Sequence, residues 1–150
     1  MRKGAKRSAQ RGAQGGAQGG AQGSARRSKS GAGTLAYLLP FSLDTVIVEG
    51  DSMAPTFQRG DWLLIRHLTP SAQPRVNLGE VVLIEREEQP GALFIKRITD
   101  IRGDSPNRHY PTYWVEGDNK ELSQDSRKWG AIDGYEIVGR VLLRIKRAQN

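Results

Sequence analysis

The stretch "GEVVLIEREEQPGALFIKRITD", residues 79–100, holds two runs of β-type residues, 80–85 and 93–100, separated by a polar segment containing Pro90 and Gly91. Neither run has the 3.6-residue apolar stripe of a surface helix. Within the second run, period-2 alternation puts Lys96 on the same face as Phe94 and Ile98, with Arg97 on the opposite face. A lysine in that setting is desolvated, and desolvation disfavours its charged form.

The same pattern continues on both sides. Strands are expected at "TVIVE" (45–49), "DWLLIRH" (61–67), "YWVEG" (113–117) and "EIVGRVLLRIK" (136–146), with Gly, Pro, Asn and Asp between them. Gly139 marks a bulge or bend in the last. "LAYLLPF" (35–41) offers at most a helical turn, limited by Pro40. The expected architecture is mostly β, a folded-over antiparallel sheet or partial barrel.

Charge divides the chain in two. Residues 1–30 carry eight of the 23 Lys and Arg and none of the 16 Asp and Glu, so the remainder is nearly neutral, with 15 basic residues against 16 acidic. The tail repeats "GAQGGAQGGAQG" (12–23) between basic clusters, has almost nothing to bury, and is expected to be disordered over residues 1–33. Such a tail suits a solvated extension or a weak, salt-sensitive contact with a polyanion or membrane surface. The folded part, 34–150, shows no basic footprint of its own, so no specific nucleic-acid partner is expected.

Cysteine is absent, which excludes disulfides and thiolate chemistry. With only His67 and His109, a three-histidine zinc site is impossible, and neither position favours a histidine base: His67 ends a strand-like run and His109 sits in a loop. No metal or cofactor is expected. The best apolar run, "LAYLLPFSL" (35–43), is about half the roughly 20 residues a membrane helix needs. The basic start is followed by Gly, Gln and Ala rather than an apolar stretch, unlike a secretory signal. The expectation is a soluble cytoplasmic protein without a transmembrane anchor.

"VEGDSMAPTF" (48–57) ends a strand and turns through Ser52, Met53 and Pro55. A serine hydroxyl becomes a useful nucleophile only when a base removes its proton. With histidine unpromising, lysine is the remaining base, but at its ordinary pKa about one molecule in 2,500 is neutral at pH 7. Of the four lysines beyond the tail, Lys120 and Lys128 lie in a polar loop and Lys146 near the chain end; only Lys96 lies within an apolar strand.

"SMAPT" (52–56), "GD" (60–61), "GEVVLIE" (79–85), "FIKRITDIRGD" (94–104) and "GDNKELSQDSRKWG" (117–130) occur in that order. Together they resemble the signature boxes of type I signal peptidases, membrane-bound serine proteases that use a Ser–Lys dyad. The resemblance spans about 100 of the 150 residues, from Val46 to Val141. It implies that Ser52 is the nucleophile and Lys96 its general base. Ser123 matches a serine that hydrogen-bonds the lysine, and Asp125 and Arg127 match an ion pair bracing the loop. Asp118 and Asn119 fit the turn that opens the last box. Gly50 stands where some members carry a hydroxyl side chain, which leaves the oxyanion to backbone donors from Gly50 to Ser52. Gly79-Glu80 replaces the usual Gly-Asp. The Arg-Gly-Asp string at 102–104 falls in the turn after the lysine strand, which argues against adhesion.

The compact length and the endings "YWVEGDN" and "IVGRVLLRI" look like the small soluble nickel-type superoxide dismutase maturation proteases. This implies an endopeptidase that removes an N-terminal leader, bound as an extended strand, from a precursor protein. Three alternatives differ from it. A type I signal peptidase would act on secretory precursors. A self-cleaving repressor-like domain shares "GDSM" but would carry a helix-turn-helix upstream, where this chain has the Gly/Gln tail. A non-catalytic binding module would leave Ser52, Lys96 and Ser123 without purpose.

Overall fold

The computed structural model describes residues 24–27, 42–103 and 109–149. The tail before Ser24, the stretch "LAYLLPF" and Asp104 lie outside them. Strands β1 (Ser24–Arg27), β2 (Leu43–Val48), β3 (Trp62–His67), β4 (Val81–Glu85), β5 (Leu93–Arg102), β6 (Thr112–Glu116), β7 (Ile132–Asp133) and β8 (Ile137–Lys146) form one antiparallel sheet. One four-residue helix, α1 (Ser126–Trp129), and a 3-10 turn at Gly134–Glu136 interrupt it. The fold is mostly β, and six of its strands match the alternating runs to within two residues.

The strand order is β1-β2-β3-β8-β4-β5-β6-β7, and β1 also pairs with β5. The first six strands therefore close into a ring, while β6 and β7 extend from β5 as a flap. Within the stretch 1–33 expected to be disordered, Ser24–Arg27 forms a strand. Although the segment has one apolar side chain to bury, Ala25, its backbone meets two strands at once: Ala25 lies opposite Val48 of β2 and Leu93 of β5.

Alternation along the strands produces two apolar layers. Ala25, Val46, Val48, Met53, Leu63, Ile65, Leu83, Leu93 and Ile95 pack together inside the ring. Val82, Ile84, Phe94, Ile98, Tyr113, Val115, Ile132 and Ile137 form a second cluster on the other face of β4 and β5. Phe94 meets Trp129 edge-on, with ring centroids 5.4 Å apart, which fastens α1 to the strand that carries Lys96.

Gly139 has a packing role. The β4–β8 register shifts between Leu83 and Ile84, and a side chain on Gly139 would press on Ile65 Cγ2 at 2.8 Å. The absent side chain lets β8 bend between β3 and β4.

Candidate active site

Ser52 lies in the connection between β2 and β3, which is pinned at its base. Val48 N–H donates to Asp61 O at 2.9 Å and Gly60 N–H to Val48 O at 2.8 Å. Inside the loop, Ala54 N–H bonds Asp51 O and Phe57 N–H bonds Met53 O. The carboxylate of Asp61, 2% exposed, accepts from Gln58 N–H, Arg144 Nη1 and Ala148 N–H, while Arg144 also donates to Thr56 O. In the sequence Asp61 stands in "GD" and at the head of "DWLLIRH"; a charged residue directly before an apolar strand was the available signal.

The turn buries Ser52 to 2% exposure and aims its hydroxyl at β5. Lys96 Nζ donates to Ser52 Oγ at 3.0 Å across 44 residues of sequence. Lys96 itself has no exposed surface, sitting on the Phe94–Ile98 face of β5 with Val82 opposite it on β4. Burial drives its ammonium down from the ordinary 10.5 to about 8, against the attraction of Asp125 and aided by the repulsion of Arg127. About one molecule in ten then carries a neutral amine at pH 7. A neutral amine at that distance can accept the hydroxyl proton.

The turn at residues 117–119 clasps the serine from behind. Asn119 N–H donates to Ser52 O at 2.9 Å. Asp118 receives Arg97 Nε at 2.8 Å and Nη2 at 2.6 Å, a two-pronged bond that ties the turn to β5. Burial pushes the Asp118 carboxyl up, and its bonds from Arg97 and Thr56 more than reverse this. Arg97 also donates to Gly79 O at 2.8 Å, so the residue beside the lysine holds two loops in place. A side chain on Gly117 would overlap Ser123 and stand 2.5 Å from Ser52 O, so the backbone fits there only without one.

Asp125 is fully buried. Its carboxylate accepts from Gly117 N–H at 3.0 Å and from Arg127 Nε and Nη2 at 2.9 and 2.7 Å. It also caps α1 by accepting from Arg127 N–H. Burial raises the carboxyl, but these bonds outweigh it and hold the group well below the ordinary range. The Ser123–Lys96 hydrogen bond implied by the resemblance is not formed. Ser123 Oγ is buried without a hydrogen bond of ordinary geometry, packed beneath Gly117 and near enough to Asp125 to favour its charge. Gly50 is buried at the entrance to the turn, and the Ser52 N–H has no bonding partner among the described residues.

The histidines lie elsewhere. His67 Nε2 is 3.4 Å from Asp44 Oδ2, at the end of the β2–β3 pair remote from Ser52, and His109 is exposed. Among the described residues, no cluster of three or more His, Asp or Glu side chains could hold a metal ion.

The signal peptidase, peptidase S26, family matches residues 30–110 and 106–146. The chain belongs to this family. It is similar to the mitochondrial ATP-independent inner membrane protease subunit 1a of Arabidopsis thaliana, with 32% identity over 70% of this chain and 71% of that protein. The mitochondrial inner membrane protease subunit 1 of Xenopus tropicalis is 32% identical over 68% of each chain. A probable signal peptidase I-1 of Synechocystis is 25% identical over 73% of this chain and 75% of its own length. No helix among the described residues is long and apolar enough to cross a membrane.

Proposed function

We propose that the chain is a serine endopeptidase that removes an N-terminal leader from a precursor protein, with Ser52 as nucleophile and Lys96 as general base. The observation that carries this reading is the 3.0 Å approach of a fully buried lysine amine to a serine hydroxyl. Neutral Lys96 takes the Ser52 proton as Oγ adds to the scissile carbonyl. The Ser52 N–H, with neighbouring backbone at Gly50, receives the developing oxyanion. The Lys96 ammonium then gives its proton to the departing amine as the C–N bond breaks. Lys96, neutral again, draws a proton from the water that attacks the acyl-enzyme, and the ammonium returns it to Ser52 Oγ as the ester opens. Asp125, Arg127, Asp118, Asn119 and Ser123 hold the loop against the turn and do not enter the chemistry.

For the substrate, we favour the precursor of a nickel-type superoxide dismutase, processed in the cytoplasm, on the strength of the sequence resemblance. The test is incubation of that precursor with wild type, Ser52→Ala and Lys96→Ala, reading the new N-terminus by mass spectrometry. A single cut made by wild type and lost in both variants supports dyad and substrate together. The second reading, a type I signal peptidase acting on secretory precursors, is favoured by the similarity to an inner membrane protease subunit and a probable signal peptidase, and by the exposed Leu142, Leu143 and Ile145 on β8. If the dismutase precursor stays whole while detergent-dispersed secretory leaders are cut by wild type alone, that reading replaces the first.

A further inference from the structure

Without β1, the ring β2-β3-β8-β4-β5 is open between β2 and β5. These are the strands that lead to Ser52 and carry Lys96, and Ser24–Arg27 fills the gap between them. It runs antiparallel to both, with Ala25 opposite Val48 and Leu93 and Ser24 opposite Phe94. Ser24 is therefore the end nearer Lys96 and Ser52. The same edge of β5 pairs with β6 only from Arg97 onward, so β1 and β6 leave Ile95 and Lys96 between them. An extended polypeptide approaching Ser52 along these edges needs the main-chain groups that β1 occupies.

The strand is lightly held. Of Ala25, Arg26 and Arg27 only Ala25 is buried, in the apolar site with Val48, Met53 and Leu93. Arg26 meets Glu49 at 3.2 Å and Arg27 meets Asp44 at 3.9 Å, with the arginines 68% and 58% exposed, and ion pairs that open to water contribute little. Residues 28–42, between β1 and β2, are many more than a hairpin requires, so the connection does not force the pairing.

We propose that Ser24–Arg27 is an intramolecular competitor for the substrate strand: it occupies the β2–β5 cleft and leaves it when a precursor binds. The proposal rests on the protease reading above for its consequence in catalysis, but its occupancy can be measured without turnover. A labelled peptide of residues 19–29, GGAQGSARRSK, is titrated by fluorescence anisotropy into the full chain as wild type, Ala25→Glu and Ala25→Ser. The Glu carboxylate cannot remain among Val48, Met53 and Leu93, so this variant expels its own strand and binds the peptide at least tenfold tighter than wild type; Ala25→Ser resembles wild type. Hydrogen exchange on wild type gives a second readout that needs no variant. The amides of Ala25–Arg27 exchange at least 100-fold faster than those of Val46 and Val48, which face β3, if the strand opens on its own.

Equal peptide binding by wild type and Ala25→Glu, or none by either, overturns the proposal, as does β1 exchange as slow as that of β2. If Ala25→Glu does not fold, the exchange result decides alone. In the cleavage assay Ala25→Glu lowers KM several-fold with kcat unchanged. Absence of cleavage by every chain would sink the protease reading while the binding and exchange results still judge the competitor.

Discussion

Replacing Lys96 by Met should stabilise the protein while abolishing activity. The Lys96 ammonium is fully buried and its pKa falls from 10.5 to about 8, which corresponds to about 3 kcal/mol of penalty for holding the charge in the folded state. Between those two values the unfolded chain binds more protons than the folded one, so stability rises with pH across the window. Below about pH 8 the penalty is present in full. Met has a similar unbranched shape and no charge, but it forfeits the bond to Ser52 Oγ, a loss of about 1 kcal/mol. The expected net gain at pH 7 is about 2 kcal/mol, reversing to a loss of about 1 kcal/mol above the ordinary lysine range, where only the missing bond to Ser52 remains. Urea unfolding followed by tryptophan fluorescence at pH 7 and pH 10.5 measures both numbers. A Lys96→Met variant less stable than wild type at pH 7, or a difference that does not change with pH, would refute the argument that burial is what lowers this amine.

Gly117→Ala forces a methyl group against Ser52 O and Ser123, so cleavage should fall by about 100-fold through displacement of the nucleophile, with stability down by about 1–3 kcal/mol; kinetics and thermal unfolding of the purified variant check both. Asp61→Ala leaves Arg144 without its buried partner and should cost about 3–5 kcal/mol in urea unfolding, releasing the base of the Ser52 loop. Asp61, Asp118 and Asp125 all titrate below the ordinary carboxylate range, so the stability they contribute is present above about pH 4 and is lost as pH falls further. An acid titration by circular dichroism should show Asp125→Asn with a shallower acid transition than wild type. Arg127→Gln removes a charge that lowers the Lys96 ammonium, so the activity–pH curve should move to higher pH; a shift to lower pH would contradict that assignment.

Much of the barrel was legible because its strands are short and rich in Val, Ile and Leu; "WLLIRH" alternates in burial, while "LFIKRITD" buries side chains on both faces. Period-2 alternation put Lys96 on the face of Phe94 and Ile98, and the motif resemblance singled it out as the buried base. Strand β1 was not legible: "SARR" has one apolar side chain, and its place depends on two edges contributed by distant parts of the chain. Ring closure is likewise non-local, since no residue pattern within a strand records which edge meets which. The approach of Ser52 to Lys96 came from the ordered motif resemblance; their spacing of 44 residues carries no geometric signal by itself. The resemblance misled on Ser123, whose hydroxyl packs under Gly117 and near Asp125 and does not reach the amine. Arg97 was placed correctly on the face opposite Lys96, but its grip on Asp118 became visible only once the 117–119 turn was positioned over β5.

The central claim is that a buried, deprotonated Lys96 activates Ser52, and the pH dependence of kcat/KM tests it most directly. The account predicts a tenfold rise per pH unit at low pH, bending to a plateau through one ionisation near pH 8 that disappears with the residual activity of Lys96→Ala. A profile governed by an ionisation near 6.5, or one that survives unchanged in Lys96→Ala, would contradict it.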